Sequence, residues 1–158
     1  MGVGKTAPAT APETVSGTSA PDGYRLEDQV GFLLRQVAQR HALLFAARIG
    51  SDLTPTQWAA LAKLREEGGP VSQNRLGRLT AMDAATIKGV VDRLTRRGLT
   101  ETRPDPDDGR RLLVGLTDEG RARAAEWEPR ARSITEETLA PLSGEERDAL
   151  IPLLRKLR

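Results

Sequence analysis

The chain has 158 residues, enough for one domain with an elongated appendage, and carries 24 Lys and Arg against 22 Asp and Glu. With 3% aromatics the core has to be built from Leu, Ile, Val and Ala, which suits helices. The absence of cysteine and the single histidine exclude thiol catalysis, disulfides and a multi-histidine metal site within one chain.

No apolar run approaches the ~18 residues of a membrane span, so no membrane partner is expected and a cytoplasmic protein is the default. Residues 1–23 are rich in Ala, Pro, Thr, Gly and Ser without apolar periodicity and read as a disordered tail with no signal-peptide core. Gly4-Lys5-Thr6 resembles the end of a phosphate-binding loop but lacks its upstream glycine and strand. Met1-Gly2 with Thr6 fits only a loose myristoylation pattern.

Segment 24–53 predicts one long helix, Tyr24 to Ile49. Leu26, Val30, Leu33, Val37, His41, Leu44 and Arg48 form one stripe, widened by Leu34, Ala38 and Phe45. So long a stripe needs another helix, one from a second subunit. His41 and Arg48 sit on it either as interface and capping residues or as a pair that holds a ligand carboxylate.

Segment 54–116 begins with Thr54-Pro55-Thr56-Gln57, a capping box with proline at the first helical position. Trp58, Leu61 and Leu64 face inward on that helix, which stops at Gly68-Gly69-Pro70. Trp58 fits the core or the wall of a pocket. Gln73 to Leu79 then makes a short helix, and Ala81, Met82 and Asp83 a turn. Ala84 to Arg97 makes a second helix with Ile87, Val90, Val91 and Leu94 on one side, before a stop at Gly98. Its opposite face is Ala85, Gly89, Asp92, Arg93 and Arg96, flanked by Thr86 and Lys88. Small residues at the N-terminal end let a backbone approach base edges, and Arg and Lys neutralise phosphates, although a solvated helix face has the same composition. Extended runs Thr100–Arg103 and Arg111–Leu116 flank the loop PDPDDG. Helix, turn, helix and β-hairpin together make a winged helix-turn-helix.

Segment 117–158 predicts two further helices. Asp118 and Glu119 suit the dipole at the start of the first, and Trp127, Ala131, Ile134 and Thr138 line it; Pro129 is expected to kink it. Ser143 and Glu146 form a second capping box before Leu150, Leu153, Leu154 and Leu157, with Pro152 interrupting that helix. Leucine lines at both chain ends fit a helical dimerisation platform. The fold class is mainly α: a winged helix-turn-helix with long N- and C-terminal dimerisation helices.

The dense carboxylates Asp105, Asp107 and Asp108 miss the calcium-loop pattern at Gly109, and no Ser or Lys stands in a nucleophile motif. Neither an enzyme nor a cofactor nor a metal is expected.

The chain resembles the MarR family of bacterial transcriptional regulators from about Leu26 to its C-terminus. The resemblance is carried by Leu76 and Leu79, by Ala85-Thr86, and by Val91-Asp92-Arg93-Leu94 with Arg97-Gly98-Leu99. It continues through Asp105-Pro106-x-Asp108-x-Arg110 and Leu116-Thr117 with Gly120. It implies a homodimer on double-stranded DNA, most often a repressor, with a ligand between the dimerisation helices and the winged domain. DNA would be met by Ala85, Thr86, Lys88, Gly89, Arg93 and Arg96, and by Arg110 in the minor groove with Asp108 orienting it. A small acidic effector, aromatic or its thioester, would meet His41, Phe45, Arg48 and Trp58. Serine 72 to Leu94 resembles a branch tied to aromatic-acid catabolism; Gly89 departs from it, standing where many relatives carry a larger side chain. Two other readings are a winged helix that binds DNA without a ligand and one that binds only protein.

Overall fold

The computed structural model describes residue 1, residues 23–50 and residues 53–157. The tail and its Gly4-Lys5-Thr6 and Gly2 patterns lie outside the described residues. The order is α1 (Val30–Ile49), α2 (Pro55–Glu67), β1 (Val71–Ser72), α3 (Gln73–Leu79), α4 (Ala84–Arg96), β2 (Thr100–Pro104), β3 (Leu112–Leu116), α5 (Asp118–Leu139) and α6 (Gly144–Lys156).

The first helix is not continuous from Tyr24. A 3-10 turn, Leu26–Asp28, ends at Gln29, whose extended backbone (ψ 126) starts α1 afresh; the Gln29 amide donates to the Arg25 carbonyl at 2.9 Å. The two internal prolines do not break their helices either. Helix α5 runs through Pro129 and α6 through Pro152. Pro129 and Ala125, whose carbonyl loses its helical partner, are both exposed, so water can take the bond.

The helix starts follow their caps. Thr54 and Gln57 form the expected reciprocal box, as do Ser143 and Glu146. Helices α3 and α4 occupy the expected segments, except that Arg97 is the cap of α4 and not its last turn. The hairpin pairs Thr100 with Leu116 through Pro104 with Leu112. Arg111 belongs to the loop, because its N–H and C=O are spent on Asp108 and Asp105. Unforeseen was β1, two residues that pair antiparallel to Leu113 and Val114 and give the order β1-β3-β2. Two residues carry too little alternation to announce a strand.

Leu61, Leu76, Ile87, Val90, Val91, Leu94 and Val114 make the centre of the core. Phe45 and Ile49 from α1 and Trp127 and Ile134 from α5 extend it outward. The remainder of α1 is open: Val30, Leu33, Leu34 and Val37 are all exposed. Helix α6 buries none of its residues and exposes Leu153, Leu154 and Leu157.

Two backbone positions set the angles between elements. Thr117 caps α5, accepting from the Gly120 N–H at 3.0 Å and donating to the Gly98 carbonyl at 2.6 Å. This presses the first turn of α5 onto Leu99, so that a Cβ on Gly120 would lie 1.9 Å from the Leu99 carbonyl oxygen. The turn between α3 and α4 places Ala81 at φ 53, a left-handed conformation. That region costs an L-residue about 1–2 kcal/mol, more than the entropy that glycine loses on folding. Ala81→Gly is therefore expected to stabilise the protein by about 0.5–1 kcal/mol, read as a higher urea midpoint at unchanged slope; a lower midpoint would show that the turn favours alanine.

Candidate functional site

One candidate surface is the outer face of α4 with the hairpin beside it. Asp83 caps α4 by accepting the Thr86 N–H at 2.7 Å, and this bond with the further bond to the Thr86 side chain holds its carboxyl below the usual carboxylate range. Ala85, Thr86, Lys88, Arg93 and Arg96 are exposed and Gly89 is half-buried. The helix thus puts all six expected residues on its solvent side, which Ile87, Val90, Val91 and Leu94 force by burying the other side. Lys88 pairs with Asp92 at 2.7 Å, and the Arg96 Nε donates to the Asp92 carbonyl at 3.3 Å. The guanidinium of Arg93 lies over Gly89, 3.6 Å from where a Cβ would stand, so the missing side chain is replaced by a neighbouring cation.

The loop of the hairpin is built by its carboxylates. The Asp105 side chain accepts the Asp107 N–H at 3.0 Å, and the Asp105 N–H donates to the Arg111 carbonyl at 3.0 Å. Asp108 accepts the Arg110 N–H at 3.1 Å and pairs with the Arg111 side chain at 3.1 Å. Asp108 therefore fixes Arg110 through its backbone, while the guanidinium it holds is that of Arg111. Arg110 itself forms no side-chain ion pair among the described residues, and it is exposed.

The pairing of β1 with β3 brings the start of α3 beside this loop. Between them is a polar cleft of ≈ 340 Å³ lined by Gln73, Asn74, Arg78, Arg110 and Arg111 among others. Of these, sequence reasoning had found only Arg110. Arg78 stands on α3 and Arg110 and Arg111 in the hairpin loop, 33 residues apart at the widest. The missed signal was the two-residue strand that joins them.

The second candidate is a cavity of ≈ 130 Å³ where α1, α2 and α5 meet, lined by His41, Phe45, Trp58, Ala131 and Ile134 among others. Three of the four residues expected around a ligand share it. The fourth does not: Arg48 pairs with Glu137 of the same chain at 2.6 Å, where a ligand or the other subunit had been the expected partner. Eight residues earlier, Arg40 donates to the carbonyls of Glu137 and Thr138 near the C-terminal end of α5, where a cation suits the helix dipole.

The tautomer of His41 follows from its partner. The Thr138 hydroxyl donates its one hydrogen to the Ile134 carbonyl at 2.7 Å, so in the 2.8 Å contact with His41 it can only accept. His41 therefore carries a hydrogen on Nδ1, and Nε2 is the ring nitrogen left for a further partner. Between the same two helices, Arg65 of α2 pairs with Glu128 of α5, and bonds from Arg65 and Arg132 hold the Glu128 carboxyl below its ordinary range.

The chain is similar to known proteins over most of its length. The family model described as MarR family matches residues 51–111. The HTH-type transcriptional repressor NicR of Pseudomonas putida is 41% identical over 97% of this chain and 93% of its own length. A probable transcriptional regulator from Pseudomonas aeruginosa superposes with a TM-score of 0.80 at 60% identity, over 85% of this chain and 100% of that one. Another solved structure is that of BpsR from Bordetella bronchiseptica, whose DNA binding is regulated by 6-hydroxynicotinic acid. It superposes with a TM-score of 0.81 at 42% identity, over 85% of this chain and 96% of that one.

Proposed function

Because this chain belongs to the MarR family of transcriptional regulators, we propose that it is a repressor released from its operator by a small aromatic acid. Residues 54–116 are the DNA-binding domain in this reading. Segments 24–53 and 117–158 supply the dimer, and the protein works in the cytoplasm, where the genome is. Helix α4 enters the major groove with Ala85, Thr86 and Gly89 nearest the bases, and Lys88, Arg93 and Arg96 toward phosphates. Arg110 enters the adjacent minor groove, where a narrow, electronegative groove attracts a lone guanidinium.

The assembly is a two-fold dimer. Leu33, Leu34 and Val37 on α1 and Leu153, Leu154 and Leu157 on α6 are exposed in the single chain, and a helix that buries nothing in its own subunit gains its stability elsewhere. Light scattering is expected to give twice 17.1 kDa. A monomer at micromolar concentration would remove the dimer. Two wings on one dimer imply half-sites about one helical turn, ~10 bp, apart.

The observation that carries the effector is the cavity of His41, Phe45 and Trp58. Two aromatic walls suit a flat ring, and His41, bonded to Thr138 through Nδ1, lines the same space with Nε2 unspent. A hydroxylated aromatic or pyridine carboxylic acid has such a ring and a hydroxyl that can donate to the Nε2 acceptor, and BpsR answers to such an acid. Titration of benzoic, hydroxybenzoic and hydroxynicotinic acids against the preformed protein–operator complex tests it. Release of the wild type is expected at concentrations at least tenfold below those needed for His41→Ala, with both proteins dimeric. Equal concentrations would put the pocket elsewhere, and no release by any acid would favour a ligand-independent DNA-binding protein.

A further inference from the structure

We propose that the cleft between the start of α3 and the wing grips one phosphodiester of the DNA backbone between Arg78 and Arg111, with Asn74 as a third donor. The proposal rests on the DNA-binding reading and adds to it a site shared between α3 and the wing loop, outside the recognition helix. Its first support is charge. Arg78, Arg110 and Arg111 line this cleft, and no carboxylate does. Two basic residues nearby are neutralised by carboxylates: Arg75 pairs with Glu67 at 2.6 Å and Lys88 with Asp92 at 2.7 Å. Arg78 and Arg110 form no ion pair among the described residues. One carboxylate, Asp108 on Arg111, offsets the mutual repulsion of the three guanidinium groups only in part, and an anion among them lowers it further.

The second support is aim. The Asp108 carboxylate pairs with the Arg111 Nε at 3.1 Å and the Asp108 carbonyl accepts the Arg111 backbone N–H at 2.8 Å, so the residue is anchored at both ends. A guanidinium has five N–H donors, and this pairing uses one edge only, leaving the other for a phosphate oxygen. On the opposite wall, the Ser72 hydroxyl accepts the Arg75 N–H at 3.3 Å and caps α3, which holds Asn74 and Arg78 one helical turn apart on a rigid segment. The third support is the path of the duplex. DNA with α4 in its major groove and the wing in the next minor groove carries one sugar–phosphate strand between the two, and the cleft opens beside the wing.

The experiment is a methylphosphonate scan, which neutralises one phosphate of the operator at a time. Wild type, Arg78→Ala and Arg111→Ala are compared, with Arg75→Ala as a variant outside the cleft, after thermal melting shows all four folded. In wild type, one position per half-site is expected to lose affinity on neutralisation by roughly tenfold. That loss is expected to vanish in Arg78→Ala and in Arg111→Ala at the same position, and to persist in Arg75→Ala. The double variant is expected to lower the slope of log K against log salt by about 0.9 for each subunit on the duplex. Silencing of different positions by the two variants, or of none, would overturn the shared grip while leaving operator binding intact. A wild type that binds no duplex would instead remove the functional reading, and the grip with it.

Discussion

Gly120→Ala is expected to destabilise the protein by about 3 kcal/mol, the upper end of what overpacking costs. The added Cβ would lie 1.9 Å from the Leu99 carbonyl oxygen, and that atom belongs to backbone on which both Thr117 and β2 depend. No rotamer change relieves a clash with a main-chain oxygen; the first turn of α5 has to lift. Relief by that lift would break the Thr117 bond to Gly98 as well. Urea unfolding measures it, and a loss below 0.5 kcal/mol would mean that α5 reaches its place by some other contact. Gly144, also in the first turn of its helix but with nothing within 4 Å, serves as the comparison: Gly144→Ala has room.

Arg110→Ala is expected to weaken operator binding by about 1–3 kcal/mol for each half-site, the value of one good groove contact. At 1.4 kcal/mol for each factor of ten, the loss over a dimer reaches roughly 30-fold to 20,000-fold. Arg110 is placed for such a role by the Asp108 carboxylate on its N–H, while its side chain remains exposed. Competition between operator and random duplex at matched salt is the measurement. If both affinities fell by the same factor, Arg110 would be one more phosphate contact and the wing would read nothing.

Much of this architecture was legible before any coordinates, and the reasons are local. Thr54 and Ser143 each announce a helix start because their side chains accept the N–H of a residue three positions on, a relation contained within four letters; Asp83, read as a turn residue, caps α4 in the same way. The stripe from Ile87 to Leu94 fixed the outward face of α4 for the same reason. What stayed hidden depends on contacts between distant segments. Nothing near Arg48 says that Glu137, 89 positions later, will reach it, so the anion it needs was sought in a ligand or a second subunit. The cleft of Arg78 and Arg111 needs β1, a strand too short for periodicity. Pro152 misled in the opposite direction, since α6 runs through it uninterrupted. Its rule concerns a lost hydrogen bond, and the cost is small where the orphaned carbonyl is in water.

The unbroken course of α5 has a mechanical meaning. One helix carries Thr117 and Gly120, clamped to the hairpin, and Ala131, Ile134 and Thr135, which face the cavity of His41. Thr117 and Thr135 are 18 residues apart, about 27 Å along a helix rising 1.5 Å per residue. A rod of that length pivoting by ~5° at the cavity moves its far end by about 2 Å, a displacement comparable with the length of a hydrogen bond. Every ångström so delivered arrives at a joint that Gly120 makes too tight to slip. Pro129, between pivot and joint, is the place where the rod would flex first, and its compliance sets how much of a tilt the hairpin receives.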